Sequence, residues 1–336
     1  MDAMKEAACV NIAFHNPLYG RLARRLYEVF GYEKFVGMTS GSEAVDAAVK
    51  IARKRAYVVK GIRDGSCHIL TATACYHGVS LSTTSLANKR PIHFSQYLPN
   101  VGSTAPSGTL VRYGEIDDLR KAVSEDGANI GAFMIEPIQG SAGIIVPPKG
   151  YLEQVSALCK EYNVLFIADE IQTGFGRAGS NLCHQRDGVK ADLVVLGKAL
   201  SGGLYAMSGV MGSSKIMDVM SPYEIGTTMA NTPPGCASAL AALDVLVEEK
   251  LSGRANYLGG LLLDKLRSFH LPHVIDYSGS GLFTAVVVEQ KPPMVTGRSV
   301  HLLTISEEDL LRGADILATA FRDIEDMGEI PGEVVV

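Results

Sequence analysis

Apolar positions along the chain repeat with two different periods, and the alternation between them predicts the elements. From Pro17, the segment PLYGRLARRLYEVFG places Leu18, Leu22, Leu26, Val29 and Phe30 at helical spacing until Gly31 closes it. Thr39-Ser40-Gly41-Ser42-Glu43 then opens a second helical run, AVDAAVKIARKRAYVV. His68 to Tyr76 (HILTATACY) reads as a strand, followed by His77-Gly78 and a Ser/Thr-rich loop, and residues 88–113 read as an irregular excursion rich in Pro, Gly and Ser. A helix from Ile116 to about Glu125 leads into the continuous apolar run GAFMIE, Gly131 to Glu136, of the kind buried in a parallel sheet. The next unit is a helix from Tyr151 to Tyr162, a strand from Val164 to Asp169, a glycine-rich loop and a strand from Leu193 to Leu196. Strands and helices alternating at this spacing predict an α/β fold, a mostly parallel central sheet with helices on both faces. Beyond Pro233, the run ASALAALDVLVEE, a helix from Asn256 to Phe269, a strand from Leu282 to Glu289 and a helix from Glu307 to Met327 predict a small α+β C-terminal domain. The expected division is an N-terminal helical segment, 1–30, a large domain, 31–235, and a small one, 236–336.

Two charges stand out against this pattern. Asp169 ends the run VLFIAD and Lys198 follows VVLG. A buried charge is costly unless something pairs with it, and ligands of such sheets bind beyond the carboxyl ends of the strands. Residues 164–203 are therefore the candidate centre. Composition narrows the classes: 336 residues with 47% hydrophobic and 20% charged positions and 35 glycines fit a compact α/β enzyme, not a disordered or fibrous chain. A net charge of −5, with no Lys/Arg block, argues against a nucleic-acid partner. The six cysteines form no CxxC pair, so neither a disulfide framework nor a structural zinc site is indicated and a reducing, cytoplasmic setting is expected. No apolar run has the length of a membrane span and no signal-peptide layout is present, so a soluble protein is expected.

The chemistry follows from three features taken together. Small residues opening a helix at Ser40-Gly41-Ser42 leave backbone N–H groups at its positive end, a ready phosphate site, although the same residues also read as a plain N-cap with Glu43 in the first turn. A lysine in an apolar, glycine-rich setting becomes a nucleophile toward an aldehyde. A carboxylate at a buried strand end stays ionised beside a cation such as a pyridinium nitrogen. The combination describes pyridoxal phosphate, with Tyr76 offering either a flat face for a ring or ordinary core packing. A Walker-type reading of VLFIADE fails for want of a GxxxxGK[ST] loop: five positions before Gly197 stands Asp192, and Lys198 is followed by Ala199. Cys67-His68 and Cys183-His184 lack a second pair at ligand spacing, so they are expected to be structural and no metal site is expected.

The segments MTSGSEAVDAAVKIAR, YHG, FMIEPIQGSAGIIVPPKGYL, VLFIADEIQTGFGR, VVLGKALSGG and GTTMANTPPGCASALAALDVL, in this order, resemble the class III, ornithine-type, pyridoxal-phosphate aminotransferases. The resemblance runs from about Asn11 to Asp323. It implies a fold type I architecture and assigns roles by position. Lys198 resembles the lysine that bonds to the cofactor aldehyde and shuttles a proton between Cα and C4′, and Asp169 matches the carboxylate that pairs with the pyridine nitrogen. Gln172 matches the side chain beside the ring hydroxyl, Tyr76 of the YHG motif the stacking aromatic with His77 next to it, and Ile171 the contact on the other ring face. Ser40, Gly41 and Ser42 match the phosphate-binding helix start. Thr228 matches a threonine that reaches the phosphate from a neighbouring subunit, which implies a homodimer with shared sites. Glu136 of EPIQG supports these residues from behind, and Arg298 inherits the clamp on a substrate carboxylate.

Departures from the family pattern concern the substrate. Val79 stands where ornithine enzymes place an arginine, and Ser141 where they have a glutamate that modulates the carboxylate-binding arginine. The chain starts after the family's N-terminal segment, and it spans Glu289 to Arg298 in a nine-residue step where the family inserts a helix and a strand. The resulting expectation is a transaminase moving an amino group from an ω-amine or amino acid, ornithine first, to a 2-oxo acid such as 2-oxoglutarate. Two alternatives stay open: an impaired homologue that binds the cofactor or a partner subunit, and a pyridoxal-phosphate enzyme of different chemistry, an aminomutase or decarboxylase.

Overall fold

A computed structural model of the chain describes residues 5, 9–11, 13–87, 97–288, 297–300 and 303–327. Helix α1, Pro17–Phe30, starts where the Asn16 side chain accepts from Leu18 N and Pro17 fills the first turn, and it stops at Gly31, whose φ of 76° lies in the left-handed region. Strand β1, Lys34–Met38, leads to α2, Gly41–Arg55, which opens on a reciprocal capping box between Ser40 and Glu43 and runs into a π-turn, Ala56–Lys60. There follow β2 (His68–Leu70), α3 (Leu81–Leu86), β3 (Val101–Gly102), α4 (Ile116–Asp126), β4 (Ile130–Ile135), α5 (Tyr151–Glu161), β5 (Leu165–Asp169), β6 (Leu193–Leu196) and β7 (Ser208–Gly212). After the short α6 (Ser214–Met217), the chain continues through α7 (Pro233–Glu248), α8 (Leu251–Ser268), β8 (Val274–Ser280), β9 (Phe283–Val288), β10 (Gly297–Val300) and α9 (Glu307–Met327).

Seven strands form one sheet in the order β1-β7-β6-β5-β4-β2-β3. From β6 to β3 all neighbours are parallel, while β7 runs antiparallel to both β6 and β1. The mostly parallel α/β architecture expected from the pattern is thus the one observed. Side chains alternate across it: Phe166 and Ala168 of β5 and Val194 and Leu196 of β6 join the core under α1, α4, α5 and α7, whereas Leu165, Ile167, Leu193 and Val195 join the core under α2. A third core lies between α8, β8, β9 and α9, with the sheet order β10-β9-β8.

The differences from the pattern-based elements have local causes. The strand expected over 68–76 is regular only from His68 to Leu70, and the chain passes through a left-handed residue at Ala74, φ 62°. Strands β1, β3, β7, β8 and β10 were not expected from the pattern: KFVGM and SGVMG are short and glycine-bearing, β3 and β10 span two and four residues, and β8 is mostly half-exposed without alternation. The Ser/Thr-rich loop is in part helix α3, capped by Ser80 and Thr83. Gly174-Phe175-Gly176-Arg177-Ala178-Gly179 has the GxGxxG spacing, yet it passes through turns into a short 3-10 stretch, Cys183–Asp187, and opens no α-helix, so it is no dinucleotide loop. Residues 289–296, where the shortened step falls, and most of the first eight residues lie outside the described residues.

The face assigned to α1 is open to a direct check. Leu26 is fully buried while Tyr27 beside it is 52% exposed. Leu26→Ala is expected to destabilise the protein by roughly 2–5 kcal/mol and Tyr27→Ala by under about 1 kcal/mol. Urea unfolding of the two variants measures this, and equal losses would contradict the burial.

Candidate active site

The carboxyl ends of β2, β4, β5 and β6 and the start of α2 enclose a cavity of about 210 Å³. It is lined by Ser40, Gly41 and Ser42 at the helix start, by Tyr76, His77 and Gly78 after β2, and by Glu136 and Ile138 after β4. Asp169, Ile171 and Gln172 at the end of β5, and Lys198 just past β6, complete the wall.

The helix start is built as an anion cradle. The capping box uses the Ser40 hydroxyl and the Glu43 carboxylate on each other's backbone N–H groups, leaving the first-turn N–H groups of Gly41 and Ser42, on residues that line the cavity, for a ligand. Ser208 Oγ of β7 donates to Ser40 O at 2.6 Å and fixes the approach to the helix. Gly78, at φ 123°, keeps the opposite wall open, since a Cβ there would lie 2.4 Å from Ser42 Oγ. Such a combination of helix dipole and uncommitted donors favours a phosphate.

At the other end of the cavity the groups are charged and buried. His77 Nδ1 and Asp169 Oδ2 are 2.7 Å apart, with side chains 0% and 4% exposed. Asp169 Oδ1 accepts from Ile171 N at 3.1 Å, which fixes the carboxylate plane. Burial opposes the charging of His77, but the Cys75 sulfur and the Asp169 carboxylate outweigh it and hold its pKa well above the ordinary imidazole value. Lys198 opens a 3-10 turn, Lys198–Ser201, at φ 40°, a left-handed conformation unusual for a lysine. Although Lys198 is exposed along the cavity wall, its amine is surrounded closely enough for desolvation to lower its pKa, partly offset by Asp169 and Glu136. Glu136 Oε2 accepts from Tyr76 N at 3.0 Å and Oε1 from Gly140 N at 3.1 Å, so this carboxyl ties two loops of the cavity together. Its burial raises its pKa to about 7, against the pull of His77.

Other residues singled out from the sequence lie elsewhere. Thr228 is exposed and lines a separate groove of about 840 Å³ with Glu43, Asp46 and Lys50 of α2. Val79 is 61% exposed and Ser141 half-buried, neither among the residues lining the cavity. Arg298 lies in β10, its backbone paired opposite Ala285 of β9; its side chain is outside the described residues. Sequence reasoning missed Gly78 and Ile138 as lining residues, and it missed that His77 meets Asp169. The two are 92 positions apart, and no local pattern links them.

The donor set fits a flat, phosphorylated, cationic heteroaromatic aldehyde such as pyridoxal phosphate. Helix-start N–H groups suit its phosphate, Asp169 suits a ring cation, and an amine of lowered pKa suits its aldehyde. Among the described residues no cluster of His, Cys, Asp and Glu could hold a metal ion, and no helix is long and apolar enough to cross a membrane.

Residues 2–312 match the family described as Aminotransferase class-III. Ornithine aminotransferase car2 of Schizosaccharomyces pombe is 37% identical over a stretch covering 95% of this chain and 79% of that protein. The ornithine aminotransferase of Emericella nidulans is 40% identical over 83% of this chain, and the match spans only 62% of its length. A solved structure of the ornithine aminotransferase from Toxoplasma gondii, described as having partial occupancy of PLP at the active site, superimposes with a TM-score of 0.88 at 33% identity. It covers 96% of this chain and 81% of that one.

Glu136 supplies a pH test of the site. A carboxyl whose pKa is raised from 4.5 to about 7 on folding contributes stability that is fully present below pH 4.5 and is lost as the pH rises through about 7. Glu136→Gln cannot ionise, so between those limits its urea midpoint is expected to fall less than that of the parent. A parent-to-variant difference constant across that range would contradict the raised pKa.

Proposed function

The chain belongs to the class III aminotransferase family, whose members depend on pyridoxal phosphate, and on that premise we propose that it transfers an amino group from ornithine to a 2-oxo acid such as 2-oxoglutarate. The observation that carries the proposal is convergence. Ten residues named from five separated motifs, Ser40-Gly41-Ser42, Tyr76-His77, Glu136, Asp169 with Ile171 and Gln172, and Lys198, line one cavity at the carboxyl edge of the sheet.

When bound, the cofactor supplies an electron sink for the amino donor's carbon. The protein's own groups do the rest. Gly41 and Ser42 hold the phosphate through the start of α2. Asp169, oriented by His77 and by Ile171 N, keeps a proton on the ring nitrogen. Tyr76 and Ile171, which line the cavity, would confine the ring, and Gln172 would meet its hydroxyl. Lys198, with a pKa lowered by burial, spends more of its time as the free amine and would serve as the base and acid that moves the donor's proton once the cofactor is bound. The strained backbone at Lys198 fixes where that amine starts.

Ornithine as donor is supported by the ornithine aminotransferases to which the chain is similar, with Arg298 as the proposed clamp on a substrate carboxylate and Val79 and Ser141 as the positions that adjust the pocket. We further infer a homodimer in which Thr228 serves the partner's phosphate. Its exposure, outside its own cavity and beside α2, supports that assignment.

Purified protein supplied with pyridoxal phosphate, ornithine and 2-oxoglutarate is expected to form glutamate, and Lys198→Ala to lose at least about 10²-fold in rate. Turnover at the parent rate in that variant would overturn the mechanism. Glutamate formed from other ω-amines but not from ornithine would overturn the substrate alone. Size-exclusion chromatography is expected to give a dimer, and a monomer retaining full activity would remove Thr228 from the site.

A further inference from the structure

Asp169 and Glu170 are consecutive carboxylates at the end of β5, and each meets the Nδ1 of a buried histidine. His77 lies 2.7 Å from Asp169 Oδ2, and His184 lies 2.8 Å from Glu170 Oε1. Strand alternation sends the two acids to opposite faces. Asp169 continues the row of Leu165 and Ile167 and lines the cavity, while Glu170 continues the row of Phe166 and Ala168 into the other core. The mechanism above uses the first pair and leaves the second without a task.

Glu170 and His184 have side chains 0% exposed. Glu170 Oε1 also accepts from His184 N at 2.8 Å, and Oε2 accepts from the Thr173 hydroxyl. Burial alone would push its pKa up, but His184 and these hydrogen bonds outweigh that and hold it below the usual carboxylate value. An ionised carboxylate only accepts, so His184 Nδ1 carries a hydrogen, and His184 Nε2 shares a hydrogen bond with the Tyr32 hydroxyl, 3.1 Å away. Burial and the charge of Glu170 raise the Tyr32 pKa and keep that hydroxyl protonated. Lys190 Nζ in turn sits 5.1 Å from the Tyr32 ring centroid and donates to Gly31 O at 2.9 Å. A line of hydrogen bonds therefore runs from the segment after α1, through the Cys183–Asp187 turn, to the residue beside Asp169.

The same residue is pinned through its backbone. Glu170 N donates to Val195 O at 3.0 Å and Glu170 O accepts from Gly174 N at 2.9 Å. A well-packed apolar side chain would stabilise this position as well as a buried ion pair does, so the charge points to orientation and not to stability. We propose that Glu170, His184 and Tyr32 are positioning residues that hold the end of β5 from behind and so set how tightly Asp169 grips the cationic ring of the cofactor. The proposal rests on the reading of Asp169 as the partner of the ring nitrogen.

The test compares the parent with Glu170→Gln, His184→Asn, Tyr32→Phe and Asp169→Ala. Three quantities are measured: the Kd of the cofactor-free protein for pyridoxal phosphate, the pH midpoint of the bound cofactor's visible spectrum, and the Tm of the cofactor-free protein. Well below Tm, Kd is expected to rise roughly tenfold in Glu170→Gln and His184→Asn and less in Tyr32→Phe, with the spectral midpoint moving in the same order. Tyr32→Phe removes one hydroxyl only and carries the test should the other two fail to fold. Variants with lowered Tm but the parent's Kd and the parent's spectral midpoint would reduce the network to packing and overturn the proposal. Unaltered binding by Asp169→Ala would overturn it through its premise, as would a parent that leaves the cofactor free in solution.

Discussion

A carboxylate placed at the end of a buried strand, with one oxygen on an imidazole and the other on a backbone N–H, is the constraint around which the rest of the molecule is arranged. Asp169 would not be tolerable in that position if it stood alone in an apolar core. His77 and Ile171 N together satisfy both its oxygens, which fixes its plane and aims it into the cavity. The parallel run of β2, β4, β5 and β6 brings four strand ends to one edge, so that Glu136, Asp169 and Lys198 arrive there from separate parts of the chain. The antiparallel β7 closes that group, and its Ser208 anchors the start of α2 at the far end of the same cavity.

The cavity is therefore graded electrostatically along its length. One end offers helix-start N–H groups to an anion, and the other offers a carboxylate to a cation. Between them stand an amine whose pKa burial lowers and a carboxyl whose pKa burial raises to about 7. Groups driven in opposite directions by their surroundings are what acid–base chemistry near neutral pH requires. Membership of the class III aminotransferases gives that arrangement its proposed purpose.

The substrate end is organised differently. Val79 follows the lining Gly78 and Ser141 comes three positions after the lining Ile138, neither lining the cavity itself, and Arg298 belongs to the small sheet of the C-terminal part. The proposed donor pocket is thus assembled from short loops and a separate sheet, whereas the proposed cofactor pocket is assembled from strand ends and one helix. Loops can change residue by residue without disturbing a core, while strand ends cannot.

The sequence by itself determined the layered α/β fold and the residues from which a cofactor site would be drawn. Apolar runs such as IGAFMI and LFIAD, bounded by turn signals and alternating with helical runs, read as strands buried on both faces of a sheet, and Ser40-Gly41-Ser42 reads as a helix start or a turn. Local pattern carries that much because period and capping are local physics. It did not carry β1, β7 and β8, whose short or glycine-bearing segments become strands only because a neighbour supplies the pairing. Nor did it carry the pairing of His77 with Asp169 or of Glu170 with His184, or the line from His184 to Tyr32. Those contacts join residues from 14 to 152 positions apart, and which histidine meets which acid is settled by the face of β5 on which each side chain emerges. Only the assembled sheet decides that, because a one-residue step along a strand exchanges the cavity for the core.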